Sequence, residues 1–208
     1  MKFILLVEGK TEKKAIPDFI KRWLDARLSQ SIRITPVKFE GNSDFYSGCA
    51  KKAQMYLDGN ESDKIIGVIG LLDLYGFPFY PKDKSGIKDR FLWGKEHFEN
   101  EVARENFRMF FAVHETEAWL FSNPNLFPSS IKKAFPGEAK EPETINFNLP
   151  PAKLLDKLFS EKTKKGYKKV TQGKEFFDQL DPNLTYDKCP YFKALLDEML
   201  KMAKKAGL

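Results

Sequence analysis

Hydrophobic positions along this chain fall into two alternating rhythms. Phe3-Ile4-Leu5-Leu6-Val7 is a continuous run of bulky and β-branched residues, which predicts a strand buried on both faces. Beyond it Ile16, Phe19, Ile20, Trp23, Leu24 and Leu28 recur at three- and four-residue steps, the stripe of an amphipathic helix. The couple then repeats. Ile32, Ile34, Val37 and Phe39 alternate with polar neighbours around Pro36, and the proline places that strand at a sheet edge. Gly41-Asn42-Ser43 turns into a helix reaching about Leu57, with Ser43 as its expected N-cap and Asp58-Gly59-Asn60 as its end. Residues 65–72 form a second continuous apolar run, the expected central strand, ending in Asp73. A loop rich in Pro, Gly and Lys follows over 76–86, then a helix over about 88–105. Residues 107–113 form a third apolar strand that runs into His114-Glu115-Thr116-Glu117, and Ala118 to Phe121 continue as a short buried helix stopped by Asn123-Pro124.

That succession is the βαβ rhythm of a mainly parallel α/β sheet flanked by helices. From Pro124 to Pro151 five further prolines break the pattern into short pieces. Leu154, Leu155, Leu158 and Phe159 mark a helix, Phe176, Phe177 and Leu180 a shorter one, and 190–206 a last one. We expect an α/β domain over 1–123 and a mostly helical, basic C-terminal cap over 124–208.

Composition narrows the class. A chain of 208 residues with 42% hydrophobic and 14% aromatic content is that of a folded globular protein. No apolar run is long enough to span a bilayer, and the start of the chain lacks the pattern of a signal peptide. Cys49 and Cys189 have no partners at metal-ligand spacing, so reduced thiols in a cytoplasmic protein are expected. The net charge of +6 is uneven: residues 1–129 hold 19 Lys and Arg against 18 Asp and Glu, residues 130–208 hold 16 against 11. The excess is densest between Lys162 and Lys169, a run that is either a solvated loop or a guide for a polyanion such as nucleic acid.

The candidate chemistry lies where strands end. Glu8 ends the first strand and Glu12 falls in the first turn of the following helix. Asp73 ends the 65–72 strand, and Glu115 and Glu117 follow the third. In a parallel sheet these ends share one edge, where ligands bind in open α/β folds. Carboxylates gathered there repel one another unless cations hold them, and an oxygen-only set suits Mg²⁺ or Mn²⁺. Two such ions about 4 Å apart would stabilise both oxygens exchanged in phosphodiester cleavage. Each acid also has an ordinary role open to it. Glu12, Glu115 and Glu117 could complement helix dipoles, Thr11 could be an N-cap and Asp73 could cap a turn. His114 fits a hydrogen-bonding organiser better than a ligand. Gly9-Lys10-Thr11 is not the tail of a phosphate-binding P-loop, because the glycine required five residues earlier is Ile4.

Val7-Glu8-Gly9-Lys10-Thr11-Glu12, Asp73-Leu74-Tyr75-Gly76-Phe77-Pro78 and the block from His114 to Pro124 resemble motifs of the bacterial family called domain of unknown function 4276. So do Pro142-Glu143-Thr144-Ile145-Asn146, Pro151-Ala152-Lys153-Leu154-Leu155, Tyr167-Lys168-Lys169 with Gly173, and Cys189-Pro190-Tyr191-Phe192. That family is similar to TOPRIM proteins, most closely to the nuclease domains of the OLD (overcoming lysogenisation defect) family. The resemblance implies a TOPRIM or Rossmann-like fold and a Mg²⁺-dependent nuclease, working in phage defence with an AAA- or ABC-type ATPase encoded nearby. It implies that Glu8 and Asp73 bind one metal and that Glu12 and Glu117 bind or orient a second, with Glu115 a further ligand and Lys169 or Lys153 stabilising charge on the phosphate. Glu8 is also the candidate activator of water. Where the general TOPRIM pattern has Asp-x-Asp, this chain has Asp73-Leu74-Tyr75, which leaves fewer ligands and puts Tyr75 beside the metal.

Three functions follow as expectations. The first is the nuclease, with Lys10, Lys164, Lys165 and Lys168 contacting nucleic acid. The second is a non-catalytic module that uses the acidic edge to bind a metal, nucleotide or partner. The third is another phosphoryl transfer, such as nucleotidyl transfer of the primase kind. None of them fixes an oligomeric state, and a homo-oligomer is compatible with each.

Overall fold

The computed structural model describes residues 1–144 and 149–208, and of Glu138 the backbone alone. Ile145 and Asn146, which end one of the motif blocks above, lie outside the described residues. Strands β1 (Lys2–Val7), β2 (Arg33–Lys38), β3 (Ile65–Asp73) and β4 (Phe107–Ala112) form one sheet in the order β2-β1-β3-β4, and all its pairs are parallel. The continuous apolar runs become the central strands: Phe3 to Val7 of β1 have no exposed surface, and β3 is buried up to its last residue. The alternating, proline-bearing run becomes the edge strand β2, with Pro36 opposite Leu5.

Helices α1 (Lys10–Asp25), α2 (Asn42–Leu57) and α3 (Ile87–Val102) are the crossovers. The right-handed hand of such connections sends α1 to one face and α2 and α3 to the other. Short turns and the four-residue α4 (Ser129–Lys132) then lead to α5 (Pro151–Thr163), α6 (Gln172–Gln179), α7 (Pro182–Lys188) and α8 (Pro190–Lys205). Of these α7 has no counterpart in the periodicity, and α5 takes in Lys162, so the lysine-rich loop begins at Lys164. Gly67 of β3 lets α8 close on the sheet, since a Cβ there would collide with the Met202 methyl. Phe19 of α1 stacks on Phe192 of α8 (5.2 Å) and meets Phe177 of α6 edge-on (5.2 Å), while Trp119 lies 4.6 Å from Phe192. One hydrophobic core therefore runs from the sheet into the C-terminal helices. Among the described residues no helix is long and apolar enough to cross a membrane.

Two helix starts differ from expectation. The N-cap positions of α1 and α2 are Gly9 and Gly41. Thr11 and Ser43 sit inside the first turns instead. Gly41 has φ of 102°, a backbone shape that disfavours any residue with a Cβ, so glycine holds the cap position and Ser43 falls two residues inside the helix.

Candidate functional site

The strand order reverses direction between β1 and β3, since β2 lies on one side of β1 and β3 and β4 on the other. Crevices at the carboxyl ends of strands at such a switch point are where open α/β sheets bind ligands. Glu8 follows the last residue of β1 and Asp73 is the last residue of β3, so the two acids face this crevice from either side.

Gly9 connects β1 to α1 in extended conformation (φ −130°, ψ 179°). A Cβ at Gly9 would stand 2.5 Å from Glu12 Oε2, so glycine leaves room for the buried Glu12 carboxylate to fold back over the strand end. On the far side β4 stops at Ala112, and His114 takes a left-handed backbone (φ 48°). That shape is uncommon outside glycine, and it swings the chain across the end of β3. The Tyr75 N–H donates to the His114 carbonyl (2.8 Å) and the Thr116 N–H to Asp73 Oδ1 (2.9 Å). Glu115 Oε2 accepts from the Ala152 N–H (2.8 Å) at the first turn of α5. Glu117, at the start of a 3-10 turn spanning Thr116–Ser122, has no exposed surface.

Lys169 closes the site from the loop between α5 and α6. Its Nζ lies 3.1 Å from Glu117 Oε2, 3.7 Å from Asp73 Oδ2 and 3.8 Å from Glu12 Oε1. Burial pushes the Glu117 carboxyl up to about 7 and holds Asp73 well above the usual carboxylate range, with their acidic neighbours adding to it and Lys169 opposing. Glu8 is raised for the same first reason, and Glu12 adds to it. Burial works against the Lys169 ammonium, but Asp73, Glu117, Glu12 and Glu115 together push its pKa up. Burial lowers the His114 imidazole, which favours its neutral form.

The expected acids Glu8, Glu12, Asp73, Glu115 and Glu117 are thus brought within electrostatic reach of one lysine. Of the two lysines expected near the phosphate, Lys169 is the one paired with the carboxylates. Lys153 lies exposed on α5. Lys10, Lys164, Lys165 and Lys168 are exposed, the last three on the loop that carries Lys169, while Tyr75 is half-buried. Tyr167 belongs at the site too: its phenol feels Glu117, Lys169, Glu115 and Glu12 after burial, and its pKa is raised. A Cβ at Gly173 would stand 2.8 Å from the Tyr167 hydroxyl and 3.6 Å from Thr11 Cγ2, so that glycine lets α6 approach the start of α1. In the sequence that tyrosine stands out only as a member of the Tyr167-Lys168-Lys169 block with Gly173.

The donor set suits a hard divalent cation in chemistry, being all oxygen. Glu117 Oε1 is buried and accepts no hydrogen bond, which marks a place where positive charge is wanted. In the arrangement seen here, no three acidic, His or Cys side chains among the described residues meet at ligand distance; the Lys169 ammonium stands in their midst.

Fold and site together define an α/β protein with an acidic, lysine-closed crevice at the switch point of a parallel sheet. The chain belongs to the family called domain of unknown function (DUF4276), which matches over residues 7–200. It is similar to the C-terminal region of the OLD protein of Xanthomonas campestris pv. campestris, with 16% identity and a TM-score of 0.45, covering 98% of this chain and 94% of that one. No curated protein matches it.

Proposed function

We propose that this protein is a Mg²⁺- or Mn²⁺-dependent nuclease of the TOPRIM type that hydrolyses phosphodiesters of nucleic acid. The observation that carries this reading is the meeting of carboxylates from three parallel strand ends around Lys169 at the β1/β3 switch point. One or two ions would be held by Glu8 and Asp73, with Glu12, Glu117 and Glu115 as further oxygen ligands, and when bound would supply Lewis-acid stabilisation of charge on the phosphate. Glu8 is only partly buried and its proton affinity is raised, which suits a base that takes a proton from the attacking water. The water oxygen bonds to phosphorus, the bond to the leaving sugar oxygen breaks, and that oxygen takes a proton from solvent. Lys169 turns from the carboxylates to a phosphate oxygen and offsets the charge that develops there. The exposed Lys164, Lys165 and Lys168 beside it, with Lys10, hold the flanking backbone. The family resemblance adds a neighbouring ATPase partner and a role in phage defence; the two free, buried cysteines fit a cytoplasmic setting, and the helical C-terminal part caps the α/β part.

Plasmid DNA and RNA incubated with the protein in Mg²⁺ or Mn²⁺ test this, beside Glu8→Gln and Asp73→Asn. Both substitutions should abolish cleavage. Cleavage that survives them removes the site assignment.

A second reading is favoured by two observations. Lys169 already lies within 3.8 Å of three carboxylates, and Tyr75 stands where the general TOPRIM pattern has a further aspartate. Both fit a metal-free module that binds a partner through this edge. Absence of Mn²⁺ binding by calorimetry at millimolar concentration would select it.

A further inference from the structure

We propose that a stack of aromatic rings beside the acidic edge is a base-stacking platform for single-stranded nucleic acid, with Phe79 as the ring that receives the base. This deepens the nuclease reading by naming its substrate class. The loop that follows Asp73 carries Phe77, Phe79 and Tyr80. It is tied to the sheet end by the Tyr80 hydroxyl, which donates to the Leu74 carbonyl (3.3 Å), and by Asn42 Nδ2, which donates to the Gly76 carbonyl (3.2 Å).

Four rings lie nearly parallel in succession. Phe79 stacks on Tyr46 at 4.3 Å and 14°, Tyr46 on His97 at 5.2 Å and 6°, and His97 on Trp93 at 4.8 Å and 10°. Core contacts of the same region are inclined instead: Phe77 meets Tyr80 at 65° and Phe111 at 68°. A parallel stack that ends at the surface can take one more ring on its end. Phe79 ends it and is 36% exposed, among the few large hydrophobic side chains so open.

Charge selects the ring. Lys82 and Lys88 are exposed on the same loop and the first turn of α3, interleaved with exposed Asp83 and Asp89, and the Arg90 guanidinium lies 5.1 Å over the Tyr80 ring, so that residues 82–90 carry four cations against two acids. Cations around a stacking face match a nucleobase with its phosphates. Bases within a duplex already have both faces covered, so the ligand is unpaired. A protein partner on the same face would be indifferent to phosphate and to base.

The test is fluorescence anisotropy with the full chain in EDTA at low salt, using a labelled oligothymidylate, an abasic oligomer of equal length and a duplex. Phe79→Ala should weaken oligothymidylate binding about tenfold and leave the abasic oligomer and duplex unchanged, while Phe79→Trp keeps wild-type affinity. Circular dichroism checks that both variants fold. Equal affinity of wild type and Phe79→Ala, equal loss on all three ligands, or no binding to any of them overturns the proposal. The nuclease reading fails separately. Phe79-dependent binding without any cleavage would leave the platform standing alone, and cleavage of single strands indifferent to Phe79→Ala would remove the platform alone.

Discussion

The Lys169 ammonium lies 3.1 Å from the Glu117 carboxylate, and that pair joins the C-terminal helical part to the turn after β4 at the centre of the acidic crevice. Because Asp73 and Glu12 also stand within 3.8 Å, one cation offsets acids from three parts of the chain. Removing it leaves buried carboxylates without a counter-charge, which costs about 3–5 kcal/mol for fully buried pairs. The Lys169 side chain is 35% exposed, so we expect Lys169→Met to lose about 2 kcal/mol in metal-free denaturant titrations. Millimolar Mn²⁺ should restore part of this loss. Lys153→Met should stay within about 0.5 kcal/mol of wild type, as an exposed position does.

Gly9→Ala tests the strand-to-helix corner. The backbone there is ordinary extended conformation, so the new methyl acts through the Glu12 carboxylate, 2.5 Å away. Calorimetry should show weaker Mn²⁺ binding, by roughly fivefold for a displacement of about 1 kcal/mol, with the far-UV spectrum unchanged. Unaltered affinity would remove Glu12 from the ligand set.

Glu143 gives the protein a pH dependence away from the crevice. Its buried carboxylate accepts from the Tyr191 and Phe192 N–H groups at the start of α8, yet burial raises its pKa from 4.5 to about 7. The folded state therefore binds the proton more tightly than the unfolded chain. The resulting stability is complete below about pH 4.5 and lost as pH rises through about 7. Relative to Glu143→Gln, wild type should lose up to about 3 kcal/mol between pH 4.5 and 8, read from melts across that range. Parallel curves would contradict it.

Reversing charge at Lys164, Lys165 and Lys168 leaves Lys169 in place. If these lysines meet phosphates, log affinity for nucleic acid should become less steep in log salt by about two, since each neutralised phosphate contributes roughly 0.7–0.9 to the slope. An unchanged slope returns the run to a solvated loop.

Much of the fold was legible because strand and helix periods are local. The apolar runs ending at Val7, Leu72 and Val113 each needed no partner to be read, and an acid at or just beyond each run was a matter of spacing. Pro36 marked its own strand as an edge. The caps of α1 and α2 were not legible, because Gly9 is required by where the Glu12 carboxylate folds and Gly41 by a left-handed turn, while Thr11 and Ser43 carry the commoner capping side chains. The sequence by itself determined that five carboxylates would gather at one edge of a parallel sheet. Only the tertiary structure decided that β1 and β3 lie side by side at the switch point, that Lys169 and not Lys153 enters the crevice, that Ala152 holds Glu115, and that Tyr167 stands nearby. Those outcomes depend on how the C-terminal helices dock through Phe19, Trp119, Phe177 and Phe192, and long-range packing of that kind leaves no period in the chain.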